Sequence, residues 1–167
     1  MIATWRAMRP EDLATVAALA ERIHANHPER PDVFAERLAL HPTGCLALQG
    51  GEGLEGYAIA HPWARRPPKL DALLGATPRR PEYFYLHDVA LLPGARGAGA
   101  ARAAVARLAE EARRLKLDEM RLIAVSGSAA AWARLGFVAY GAPCPPSYGP
   151  DARAMRRLAQ DAPALRP

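Results

Sequence analysis

The hydrophobic positions change period several times along the chain, and each change predicts an element. Ile2 to Met8 is a short apolar run that reads as a strand, and Arg9, Pro10, Glu11 and Asp12 behind it have the composition of a helix start. Leu13, Val16, Leu19, Ala20 and Ile23 then recur at helical spacing until Asn26, His27 and Pro28 break the pattern. Pro31 to Leu40 predicts a second helix through Val33, Phe34, Leu38 and Leu40. Cys45 to Gln49 and Leu54 to His61 are apolar runs joined by Gly50, Gly51, Glu52 and Gly53, which predicts a hairpin.

Pro62 to Pro81 has no clean period; its five prolines, four arginines and Lys69 predict a long loop, of the kind that is mobile or has a task. Tyr83 to Leu92 predicts a strongly apolar strand stopped by Pro93 and Gly94. Ala98 to Leu115 predicts a long helix with Ala101, Val105, Leu108 and Leu115 on its buried stripe. Arg121 to Val125 reads as a strand, Ser128 to Leu135 as a short helix closed by Gly136, and Phe137 to Tyr140 as another strand. Ala152 to Leu158 suits an edge strand or a short helix. The order describes an α/β (α+β) fold, a sheet with helices on both faces, and is neither a doubly wound dinucleotide fold nor a barrel. At 167 residues, the span 1–167 is expected to be a single domain.

Composition narrows the function classes. Half the residues are hydrophobic and 23% charged, as in a globular protein, and no run of 18 uncharged apolar residues or apolar leader is present, so neither membrane association nor secretion is expected. The two cysteines are too few for a disulfide framework or a four-thiolate zinc site, and a cytoplasmic home follows most simply. The net charge of +5 is compatible with nucleic acid or a phosphate-bearing ligand. Only Lys69 and Lys116 are lysines, and an arginine and alanine bias of this kind also reflects a GC-rich genome, so nucleic acid is not the expected partner.

The stretch from Val89 to Ala101 combines strand, glycine turn and helix. Gly97 and Gly99 let a backbone approach a ligand closely, the helix presents free amides in its first turn, and Arg96 adds a charged donor. The plain alternative is a turn without a ligand. A Walker loop is excluded because no lysine is present, and a dinucleotide fingerprint because Arg102 stands where glycine or alanine is required.

Arg96-Gly97-Ala98-Gly99-Ala100-Ala101 resembles the acyl-CoA signature of the GCN5-related N-acetyltransferase (GNAT) superfamily. Leu86 to Pro93 looks like that family's fourth strand and Trp132 to Phe137 like its later Tyr-Glu-Lys-Leu-Gly-Phe segment, and the order of elements agrees from Ile2 to about Leu158. The resemblance implies a mixed, mostly antiparallel sheet with acetyl-CoA as co-substrate. Val89, Ala90 and Leu91 would pair with the pantetheine arm, and the amides of Arg96, Gly97, Ala98, Gly99, Ala100 and Ala101 would hold the pyrophosphate. Trp132 stands where many relatives have a tyrosine acid; indole does not titrate usefully, so it is expected to pack beside the cofactor. Ser126 or Ser128 replaces a frequent asparagine and is expected to bond the pantetheine arm.

Acetyl transfer to an amine needs a base and a proton for the departing thiolate. Strict alternation puts Tyr83, Tyr85, His87, Val89 and Leu91 on one face of the strand and Phe84, Leu86, Asp88 and Ala90 on the other. His87 is the first candidate for the base, as at a similar position in the arylalkylamine branch of the family, against a structural, hydrogen-bonded histidine. Asp88 suits a grip on a cationic amine or a pair with an arginine; Glu82 and Tyr85 are weaker candidates. Tyr148 or Tyr140 is the substitute acid, unless the thiolate leaves unaided. His24 and His27 lack a third ligand, so no metal is expected, and His41 and His61, each before a proline, read as loop residues.

The resulting expectation is an N-acetyltransferase in which a primary amine, a small amine or amino-acid derivative, attacks acetyl-CoA directly in a ternary complex. Leu13 to Leu40, Pro62 to Pro81 and Gly141 to Pro150 are the segments expected to read it. Arg65, Arg66, Arg79 and Arg80 suggest a carboxylate or phosphate on the acceptor, or simply a solvated basic loop. The alternative is a non-catalytic acyl-CoA-binding or nucleic-acid-associated module on the same fold. A homodimer is common among such proteins.

Overall fold

The computed structural model describes residues 2–161. In chain order the elements are β1 (Thr4–Ala7), α1 (Leu13–Ile23), α2 (Pro31–Leu40), β2 (Cys45–Gln49), β3 (Leu54–Trp63), β4 (Tyr83–Leu91), α3 (Ala100–Arg114), β5 (Glu119–Ala124), α4 (Ala129–Arg134), β6 (Val138–Ala139) and β7 (Arg153–Leu158). The strands form a seven-stranded sheet in the order β1-β2-β3-β4-β5-β7-β6, with every neighbouring pair antiparallel except β4 and β5.

Each face of the sheet carries its own core. Val16, Leu19 and Ala20 of α1 and Phe34 and Leu38 of α2 pack on Ala47, Tyr57, Ile59 and Ala90. The stripe of α3, Ala104, Val105, Leu108 and Ala112, covers Leu48, Ala58, Phe84 and Leu86 on the opposite face. Each large side chain buried in these layers contributes roughly 1.5–3 kcal/mol. The buried Trp5 ties the layers together at a useful point, because its indole N–H donates to Ala100 O at 2.8 Å and so anchors the start of α3.

Two local departures from the sequence reading matter. Residues 153–158 are a strand, but an interior one: β7 pairs with β5 over six residues and with β6 on its other side, leaving the two-residue β6 at the edge. Sequence order cannot reveal that a later strand inserts between two earlier ones. In β4, Ile59 faces Asp88 and Ala60 faces Leu86, so His87 is an extra residue, a β-bulge. The bulge cancels the strict alternation. His87 and Asp88 both contact groups of the α1 and α2 side, whereas Val89 and Leu91 belong to the α3 side.

Candidate active site

Parallel pairing between β4 and β5 is limited to Phe84 with Met120 and Tyr85 with Arg121, although both strands run on. Past those pairs they diverge, and a cleft of about 520 Å³ opens between them. Its walls come from β4, β5, the end of α1 and the α1–α2 connection, the start of α3, α4, Leu70 of the 64–82 loop and the 146–148 turn.

At one end the chain offers backbone rather than side chains. Residues 96–99 are exposed, Gly97 (φ +84°) and Gly99 (φ +78°) take the left-handed conformation, and a Cβ at either would meet no protein atom within 4 Å. The first helical bond of α3 runs from Ala103 N–H to Gly99 O, so the amides of Ala100 and Ala101 have no intrahelical acceptor. These amides and the positive end of the helix dipole suit an anionic group. Arg96 lines the cleft and its Nε donates to Leu91 O at 3.1 Å, closing the end of β4.

At the other end buried side chains dominate. His87 Nε2 lies 2.8 Å from Glu29 Oε1, with the two side chains only 1% and 7% exposed, and His87 Nδ1 is buried without a partner. Asp88 Oδ1 meets His24 Nε2 at 2.9 Å, and Asp88 Oδ2 accepts from Tyr57 Oη at 2.5 Å. Burial pushes the Asp88 carboxyl up, but His24 and Tyr57 outweigh it and hold it below the ordinary carboxylate value. Burial likewise opposes charge on His24, and Asp88 outweighs it, so that imidazolium is held above its usual range. Tyr148 donates to Pro68 O at 3.1 Å and lies 3.0 Å from Tyr85 Oη; burial first of all pushes its phenol up to about 12.

The 64–82 loop is tied down across this end. Glu36 accepts the amides of Leu74 and Gly75, the buried Arg37 donates to Ala72 O, and Leu70 N–H reaches Ser147 Oγ. Glu29 Oε2 accepts the Asp71 amide at 3.1 Å.

The profile of the Acetyltransferase (GNAT) family matches residues 11–137, most of the chain. The chain belongs to the GNAT family. Acyl-CoA-dependent acyl transfer is therefore its general chemistry, with acetyl-CoA as co-substrate. Among solved structures the chain is similar to SsHAT (22% identity, 96% of this chain and 100% of that one, TM-score 0.71). It is also similar to GphF, a GNAT-like decarboxylase solved in complex with isobutyryl-CoA (15%, 94% and 100%, 0.76). A third is Arabidopsis thaliana Naa50, solved in complex with the bisubstrate analogue CoA-Ac-MVNAL (10%, 94% and 99%, 0.70). At these identities the likeness is one of fold. No curated protein matches the sequence at a significant level.

Within this GNAT cleft the structure gathers His87, Asp88, Val89, Ala90, Leu91, Arg96, Ala101, Ser126, Trp132 and Tyr148, while Gly97, Ala98, Gly99 and Ala100 form the exposed turn between Arg96 and Ala101. Trp132 is half-buried on the core, edge-on to Phe137. Ser126 and Ser128 both line the cleft.

Other expectations are corrected. Asp88 pairs with His24 and Tyr57 rather than an arginine. His61 is fully buried within β3 against Tyr85 and Trp63, because the strand continues through Pro62, and desolvation drives its pKa down to about 3. His41, by contrast, does lie in the connection after α2, as the residue capping that helix, and faces Glu111 at 3.0 Å. Arg65, Arg66, Arg79, Arg80, Glu82 and Tyr140 lie outside the cleft lining; Tyr140 sits between Arg121 and Arg156. Glu29 was not foreseen, since nothing local to His27-Pro28-Glu29 marks it; only folding brings it 58 positions along the chain to His87.

Proposed function

We propose that this chain is an N-acetyltransferase that moves the acetyl group of acetyl-CoA to a primary amine, a small amine or amino-acid derivative, by direct attack in a ternary complex. The observation that carries this reading is one cleft running from an exposed glycine turn to a buried imidazole with an unpartnered ring nitrogen. The Naa50 relative, solved with a bisubstrate analogue, supports a fold that admits CoA and an acceptor together.

In this reading the amides of residues 96–101 and the Arg96 guanidinium hold the pyrophosphate, and the edge of Val89, Ala90 and Leu91 that β5 leaves unpaired, with Leu91 O bonded to Arg96 Nε, pairs with the pantetheine arm beside Ser126 and Trp132. An alkyl amine arrives protonated at neutral pH. His87 takes one proton, directly or through a water, and the neutral amine attacks the thioester carbon. As the C–S bond breaks, the Tyr148 hydroxyl turns from Pro68 O and gives its proton to the thiolate sulfur, Tyr85 Oη bonds the phenolate left behind, and the second amine proton, released as the amide forms, passes through water to that phenolate and reloads it. A phenol held at about 12 stays protonated at neutral pH and is always loaded for this step. Asp88, already paired with His24, anchors α1 to β4 rather than gripping the amine. The tied 64–82 loop narrows the acceptor end and favours a small acceptor, and because its arginines do not line the cleft they give no support for a carboxylate or phosphate on it.

Calorimetric titration with acetyl-CoA against free CoA, followed by thiol release over a panel of amines, tests the proposal. Saturable acetyl-CoA binding and amine-dependent thiol release are expected. No binding at millimolar acetyl-CoA, roughly the weak end of useful affinity, would overturn it.

A further inference from the structure

Glu29 stands in the connection between α1 and α2, yet its carboxylate lines the cleft. Its two oxygens are bonded differently, Oε1 to His87 Nε2 at 2.8 Å and Oε2 to the Asp71 amide at 3.1 Å. The titratable groups around the His87 ring are Glu29, Asp88, His61, Tyr85 and Tyr148, and among the described residues Glu29 alone hydrogen-bonds to it.

The geometry points to Glu29 as the positioning residue of His87, fixing the ring proton on Nε2 and leaving the Nδ1 lone pair to accept the proton of the acceptor amine. This rests on the acetyltransfer reading above. An ionised carboxylate only accepts hydrogen bonds, so Nε2 must donate, and a neutral imidazole then keeps its lone pair on Nδ1. The opposite tautomer would set a lone pair against the carboxylate and leave a buried Nδ1–H with no acceptor, both unfavourable. When Nδ1 takes the proton, the ring carries a positive charge beside Glu29, which stabilises it. The Asp71 amide fixes the carboxylate in turn. One side chain therefore links the base to the loop that walls the acceptor end.

Glu29→Gln is nearly isosteric but offers a single acceptor oxygen to two donors, Asp71 N–H and His87 Nε2–H. We expect kcat to fall roughly 10- to 100-fold, part of the roughly 10²–10⁴ that a positioned base contributes, with acetyl-CoA affinity within about twofold. Ring ¹⁵N NMR of the unaltered protein, at a pH where His87 is neutral, should find the proton on Nε2; a proton on Nδ1 overturns the proposal whether or not the variant folds. A Glu29→Gln kcat within about twofold of the wild type overturns it too. His87→Ala separates the two readings. If it abolishes activity while Glu29→Gln does not, the positioning role falls and the acetyltransferase stands; if it leaves activity intact, the base assignment falls and this proposal with it.

Discussion

The two ends of the cleft are built from different material. The turn ahead of α3 presents exposed backbone amides, two left-handed glycines and one guanidinium, while the opposite end is a buried set of side chains, Glu29 with His87 and His24 with Asp88 and Tyr57. A backbone site depends on conformation and charge and tolerates most side chains. A side-chain site in low dielectric depends on each partner, since an unpaired buried group loses its full hydration. Substitutions at the first end should therefore act on affinity, and at the second on rate.

The largest effect should come from His87→Ala, with kcat lowered by about 10²–10⁴ and acetyl-CoA affinity little changed, as read by thiol release and calorimetry. An equal loss in binding would erase the contrast between the ends. Gly99→Asp should act the other way. It places a side chain at φ +78° and a negative charge beside the amides, and acetyl-CoA affinity should weaken about tenfold or more, with unchanged affinity counting against the turn as the pyrophosphate site. Tyr148→Phe keeps the ring and removes the proton, so kcat should fall about tenfold at unaltered acetyl-CoA affinity.

Asp88→Asn probes stability, at a cost of about 1–3 kcal/mol. His24 is held above its ordinary value, so the pair's contribution is complete below about pH 6.5 and fades as pH rises through the folded-state value. Asp88 is held below its ordinary value, so the contribution also fades as pH falls from about 4 through the folded-state value. Denaturant midpoints should separate wild type from variant most between about pH 4 and 6.5, and a gap independent of pH would dismiss the ion pair. Smallest of all, Arg79→Ala with Arg80→Ala should leave the acceptor KM within about twofold, and a larger rise would bring the basic loop back into acceptor recognition.

Elements whose signal is local were legible along the chain. The α2 boundaries, the β2–β3 hairpin and the glycine turn before α3 follow from spacing and glycine placement alone, because helix period, hairpin turns and left-handed backbone are properties of neighbouring residues. The turn's amides belong to the same class, which is why the segment proposed to hold the pyrophosphate could be named from six consecutive letters. His87 and Tyr148 were visible as candidates only by residue type.

Folding alone decided the rest. A one-residue bulge moved His87 and Asp88 to the same side of β4, against the alternation their spacing implies. Glu29 met His87 and Tyr148 met Tyr85 across 58 and 63 positions of chain. The sequence by itself determined the elements and the backbone turn, whose physics is local. Register, strand insertion and the pairing of buried charges were settled by the tertiary structure, because each depends on which distant group desolvates and satisfies it.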